Sequence, residues 1–166
     1  MKVFYIKQNF ITLRDNLYVY NEDEREVYLI EGNLIEVPKR FVVRDEGKQE
    51  RASITRVLKT VLPRFRVVVE GQYEFIIKKG LPLFRSRYSV DGEGVEVKGD
   101  FWNMDFEIIH KGQKIATVNK EWVTLGDTYK MTVYDEAWEM VVISFVVAID
   151  RVKEEEYSLL SFFDWM

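Results

Sequence analysis

Apolar and polar residues alternate in short runs along most of this chain, and polar clusters rich in Gly, Asn and Asp punctuate them. One aromatic recurs at the start of a β-type run: Tyr18, Phe41, Phe65, Tyr88, Phe106 and Tyr129, spaced by 23, 24, 23, 18 and 23 residues. A turn-like cluster follows five of the six: Asn21–Glu24, Asp45–Lys48, Glu70–Gln72, Asp91–Gly94 and Lys111–Gln113. Gly, Asn and Asp suit hairpin turns because one or two turn positions require φ > 0. A second run then returns, at Glu26–Glu31, Arg51–Val57, Tyr73–Lys79, Val95–Lys98 and Lys114–Glu121. These runs are rich in Val, Ile, Tyr and Phe, often in the period-2 alternation of half-buried strands. The repeat therefore predicts five hairpins, and strands at Val3–Gln8 and Thr128–Tyr134 bring the total to about twelve. So many antiparallel strands leave long exposed edges unless they close into a barrel or a two-sheet sandwich.

The pattern breaks at Ala137–Ile149, where only Glu139 and Ser144 are polar. Thirteen residues is long for a strand, so the length favours a helix, although Val141-Val142-Ile143 is β-branched. Asp135 suits its N-cap, Glu136 and Glu139 its first turn, and Arg151 and Lys153 its end. A helix apolar all round must be buried all round, and a closed barrel of this size needs filling. The expected fold is mainly β: a closed barrel of about twelve antiparallel strands around a central hydrophobic C-terminal helix at about 137–150. The domain is expected to span residues 1–152, with 153–166 as an extension.

Composition narrows the class. The chain has 166 residues, enough for one ordinary domain, and 47% hydrophobic content is a globular value. With no cysteine, disulfides, thiolate nucleophiles and Cys-based zinc sites are excluded, and a reducing compartment is the easier fit. Met1–Gln8 reaches Lys7 before any long apolar run, which does not read as a secretory signal. Met140–Ile149 would span about 15 Å as a helix, half of the ~30 Å of bilayer hydrocarbon. A cytoplasmic protein is expected, with association at the membrane periphery left open.

With these residues in view, the chain resembles the LURP-one-related family, in particular its bacterial YxjI-type branch, within the tubby C-terminal-like superfamily. The resemblance rests on "FYIKQ" (Phe4–Gln8), "YNEDEREVYLIEG" (Tyr20–Gly32), "GDFW" (Gly99–Trp102), Phe106–Ala116, Lys120–Tyr129 and "VVAID" (Val146–Asp150), over about residues 3–152. It implies a twelve-stranded barrel around a central helix. It also implies kinship with tubby domains, which bind phosphoinositides, and with phospholipid scramblases. Two departures stand out: the chain lacks a cysteine for the palmitoylation that anchors scramblases, and no motif matches a phosphoinositide-contacting set.

No catalytic apparatus is expected, and neither metal nor cofactor. His110 is the only histidine; it reads as a strand-end residue, and no nucleophile-elbow pattern accompanies it. One histidine and no cysteine do not make a transition-metal site. Asp91-Gly92-Glu93-Gly94 lacks the spacing of a calcium loop, and no βα unit surrounds its glycines to make a phosphate fingerprint. Trp102 and Trp122 read as core or rim aromatics.

Charge carries more information. The net value is −4, with no overall pull toward nucleic acid, yet residues 51–88 hold 9 basic and 2 acidic groups between acidic flanks. If the hairpins all point one way, the longer links between them share one rim. The first three links then place Lys39 and Arg40, then Arg56, Lys59 and Arg64, then Lys78, Lys79, Arg85 and Arg87 along an arc. Such an arc attracts an anionic lipid or another phosphate-bearing ligand; the plain alternative is solvated charge paired with local acids. Pro38, Pro63 and Pro82 stiffen the same links. The end of the chain offers a different surface. Leu159, Phe162, Phe163 and Met166 share a face at helical spacing, with Trp165 beside them. They suit packing on the barrel, self-association or a protein partner. A non-enzymatic binding module is the leading reading, and a protein-interaction or scaffold domain using the tail is its alternative.

Overall fold

The computed structural model describes residues 1–7, 16–33, 37–60, 62, 64–79, 88–100, 103–123 and 126–151. It contains twelve strands: β1 (Lys2–Lys7), β2 (Leu17–Asn21), β3 (Glu26–Asn33), β4 (Arg40–Arg44), β5 (Glu50–Arg56), β6 (Arg64–Val69), β7 (Tyr73–Lys79), β8 (Tyr88–Asp91), β9 (Val95–Asp100), β10 (Asp105–His110), β11 (Gln113–Val123) and β12 (Gly126–Val133). They form one antiparallel sheet in the order β8-β7-β6-β5-β4-β3-β2-β1-β12-β11-β10-β9. The sheet curls into a nearly closed barrel. β1 lies in the middle of the order, pairing with β2 on one side and with β12 on the other.

Period-2 alternation decides which residues face inward. In β6, Phe65, Val67 and Val69 are buried while Arg66 is exposed. The recurring aromatics follow the same rule at Phe41, Phe65, Phe106 and Tyr129, all buried. Tyr18 departs from it. Leu17 and Val19 take the inward positions of β2, and Tyr18 stands half-buried on the outer face. The side chain of Tyr88 lies outside the described residues.

A 3-10 turn, Glu136–Trp138, is capped by Asp135, whose carboxylate accepts from the Ala137 N–H at 3.1 Å. From it an α-helix, α1, runs over residues 139–151. Every residue from Met140 to Arg151 is buried. The β-branched run does not prevent the helix, because the barrel interior rewards apolar surface on every side. Thirteen residues rise about 20 Å, which matches the length of a six-residue strand. Ser144, the polar residue of the run Met140–Ile149, donates its hydroxyl to the Met140 carbonyl at 2.7 Å, which satisfies its burial.

Four of the five expected hairpins are present, as the pairs β2–β3, β4–β5, β6–β7 and β10–β11. Their polar clusters close the turns with side chains. Asn21 Oδ1 accepts from the N–H groups of Asp23 and Arg25, and Asp45 Oδ1 from that of Gln49, each at 3.0 Å. The expected hairpin at Asp91–Gly94 is not one. β8 pairs only with β7, β9 only with β10, and the two consecutive strands share no ladder. Three successive positive φ values, 131° at Gly92, 55° at Glu93 and 66° at Gly94, turn the chain without bringing the strands into register. Gly92 is pressed onto β7, where a Cβ would lie 2.5 Å from the Glu74 carbonyl oxygen. The shortest interval of the aromatic repeat, 18 residues from Tyr88 to Phe106, falls across this seam.

Candidate functional site

The strand registers sort the connections onto two rims. Residues 22–25, 45–49, 70–72, 92–94 and 111–112 lie at one end with the starts of β1 and α1, and residues 37–39, 57–60 and 103–104 lie at the other with the end of α1. At the link end the first links are stitched side by side. The Arg56 N–H donates to the Lys39 carbonyl and the Val57 N–H to the Arg64 carbonyl, both at 2.9 Å. Arg64 stands directly opposite Lys78 across β6 and β7. Lys39, Arg40, Arg56, Lys59, Arg64 and Lys78 are thereby gathered on one arc. Arg85 and Arg87 lie outside the described residues, as does the side chain of Lys79.

These cations differ in what they touch. Arg40 reaches Glu50 Oε1 at 2.5 Å, and Lys78 reaches Asp91 Oδ2 at 3.0 Å. Arg56 turns inward on its own loop: its guanidinium donates to the Val57 carbonyl, to Thr60 Oγ1 and, at 3.1 Å, to the Thr60 carbonyl. Lys39, Lys59 and Arg64 make no ion pair among the described residues. Arg66 and Arg51, also in the basic segment, serve the barrel wall. Arg66 forms a two-pronged bond with Glu74 at 2.8 and 3.0 Å, which holds that carboxylate below the usual range. Arg51 binds Glu70 and Asp45.

The turn end is acidic. Glu22, Asp23, Asp45 and Glu46 line an open groove of about 550 Å³, together with Lys2, Tyr28 and Glu139. Glu139, the first residue of α1, accepts from the Tyr28 hydroxyl and from Lys2 Nζ at 3.0 Å. Burial, then the Glu139 carboxylate, pushes the Tyr28 phenol well above its ordinary value, and Glu139 likewise raises Lys2. His110 ends β10, as expected of a strand-end residue. Its ring lies 4.2 Å from that of Trp138, which also stacks on Tyr73 at 5.3 Å. Because Tyr73 begins β7 and His110 ends β10, Trp138 touches one strand from each half of the sheet, each next to a seam strand. Among the described residues no group of three or more His, Asp or Glu is placed to hold a metal ion. No helix among them is long and apolar enough to cross a membrane.

One arrangement escaped the residue patterns. Near the link end of α1, Asp150 and Arg151 are buried at 3% and 8% exposure. Asp150 Oδ1 accepts from the Tyr129 hydroxyl at 2.7 Å, and its other oxygen pairs with Arg151. The Arg151 guanidinium sits 5.6 Å from the centre of the Phe41 ring. An acid followed by a base at the close of an apolar run was the available signal. It reads as a solvated helix end until the barrel wall is placed around it. The tail residues Leu159, Phe162, Phe163, Trp165 and Met166 lie outside the described residues, as do Trp102 and the side chain of Trp122.

A nearly closed barrel of twelve antiparallel strands filled by its own C-terminal helix is a tubby-like fold. The LURP-one-related family model matches residues 2–150, and the chain belongs to that family. It is similar to the uncharacterised protein YxjI of Bacillus subtilis (strain 168), 22% identical over 148 residues, which are 89% of this chain and 91% of that protein. An X-ray structure of an Arabidopsis thaliana protein has the same fold, with a TM-score of 0.58 at 10% identity, covering 90% of this chain and 91% of the other.

Proposed function

We propose that this protein is a non-enzymatic binding module whose link rim takes an anionic, phosphate-bearing ligand. One observation carries the reading: Lys39, Lys59 and Arg64, from two neighbouring links, share one arc and make no ion pair among the described residues. Cations with no ion pair among the described residues are available to an outside anion, even in a chain of net charge −4. Arg56 supports them by bracing the turn that carries Lys59. Each cation contributes about 1 kcal/mol toward a charged surface, and salt screens the attraction.

Titration calorimetry with inositol hexakisphosphate tests the proposal. The wild-type protein is expected to bind at low salt and to weaken as salt rises. The Lys39→Gln/Lys59→Gln/Arg64→Gln variant is expected to bind less tightly by about thirtyfold or more, the loss of two to three such contributions. No binding by the wild type at low salt, or equal binding by the variant, would sink the reading.

A further inference from the structure

Four large apolar side chains stand exposed among the described residues: Met1, Val37, Leu58 and Tyr134. Met1 and Tyr134 belong to the turn end. Val37 and Leu58 lie at the link end, at 83% and 52% exposure, and each is within two residues of a lysine, Lys39 or Lys59, that makes no ion pair among the described residues. Their links are neighbours, joined by the bond from the Arg56 N–H to the Lys39 carbonyl.

Leu58 is not exposed for want of structure around it. Residues 58 and 59 form the tip of a turn in which Lys59 takes a left-handed φ of 63°, a conformation uncommon for a side chain of that kind. Arg56 grips both sides of this turn, and the Thr60 hydroxyl donates to the Val57 carbonyl at 3.2 Å. The brace keeps Leu58 from folding back onto the wall. At 83% exposure Val37 stands clear of the barrel, as a projection and not as the wall of a groove. A soluble phosphate needs cations but no apolar tips. Apolar projections beside cations match a layered partner, with anionic groups outside and hydrocarbon a few ångströms below.

We infer that the link rim docks on an anionic lipid surface, with Val37 and Leu58 entering the boundary between headgroups and acyl chains while Lys39, Lys59 and Arg64 meet the phosphates. The inference rests on the anion-binding reading above and assigns the anion to a bilayer. It also gives Val37 and Leu58 a role that charge alone does not.

The chain has no cysteine, so Leu58→Cys takes a single environment-sensitive fluorophore, and Glu24→Cys on the opposite rim is its control. Vesicles of phosphatidylcholine alone, and of phosphatidylcholine with phosphatidylserine at about 7:3, are the probes. The label at position 58 is expected to brighten and shift to the blue on the anionic vesicles only, and the label at position 24 to stay unchanged. The unlabelled Val37→Ser/Leu58→Ser variant is expected to lose about tenfold or more in vesicle co-sedimentation and to keep its affinity for inositol hexakisphosphate. Vesicle binding by that variant equal to wild type would overturn the inference and leave the anion-binding reading intact. So would wild-type binding to the soluble polyphosphate without binding to vesicles, or a blue shift that grows with protein concentration in the absence of lipid, which marks a second copy as the occupant. Absence of binding to both probes would remove both readings. Because both serines replace exposed side chains, an unchanged urea midpoint separates loss of docking from loss of fold.

Discussion

Asp150 and Arg151 occupy the place where burial is most costly for a charge, and each is tolerated because the other is there. Tyr129 bonds the acid, and the Phe41 ring lies against the base. Replacing Asp150 with Ala leaves Arg151 without its buried carboxylate, and breaking a pair of this kind costs about 3–5 kcal/mol. Urea denaturation is expected to show that loss, and a much smaller one for Tyr129→Phe, which removes one hydrogen bond. At the other end of α1, Tyr28 is held in its neutral form by burial and by Glu139. A raised folded pKa makes this contribution complete below the phenol's ordinary value near 10 and progressively lost above it. Lys2, raised by the same carboxylate, acts in the same direction. The urea midpoint is therefore expected to fall as pH climbs past about 10. Tyr28→Phe should flatten that fall. Both ends of the helix are polar contacts that sequence patterns do not announce. Glu139 was legible only as a first-turn acid, and Asp150 only as part of a family-like run.

The strands were legible because each local signal agreed with its neighbours. Alternation in β6 and β7, the Asn21 and Asp45 turns and the spacing of the buried aromatics all point to one meander. The failure at Asp91–Gly94 has a physical cause. Glycine-rich turn chemistry is shared by a true hairpin and by a chain reversal without pairing, and only the neighbouring strand decides between them. Here Gly92 is pinned against Glu74 of β7, and three successive left-handed residues redirect the chain before β9. Tyr18 marks a related limit: an aromatic at a strand start does not say which face it takes. Gly99 shows how tightly β9 lies on β10. At φ 131° its added Cβ would come within 2.6 Å of the Asp105 carbonyl oxygen and 2.7 Å of the Phe106 Cα. Gly99→Ala is expected to lower stability by more than about 1 kcal/mol in thermal or urea unfolding, since both the backbone region and the space oppose a side chain. An unchanged midpoint would mean that β9 can shift away from β10.

At the scale of the molecule, barrel closure and the helix followed from two simple demands, edges that must be covered and an apolar segment that must be buried. The charge asymmetry followed from topology, because consecutive antiparallel pairs send turns to one rim and links to the other. Which cations on the link rim would be spoken for was not legible. That depended on whether an acid such as Glu50 or Asp91 fell within reach after folding. The seam has a consequence for chain connectivity. All ladders of β1–β8 with one another, and of β9–β12 with one another, survive a cut at Glu93, and the two pieces remain joined through β1 and β12 and through the helix. Two polypeptides, 1–92 and 94–166, are therefore expected to complement each other when produced together. They should co-elute as one species with the circular dichroism of the intact chain, whereas a cut in any true hairpin would sever two strands that bond each other.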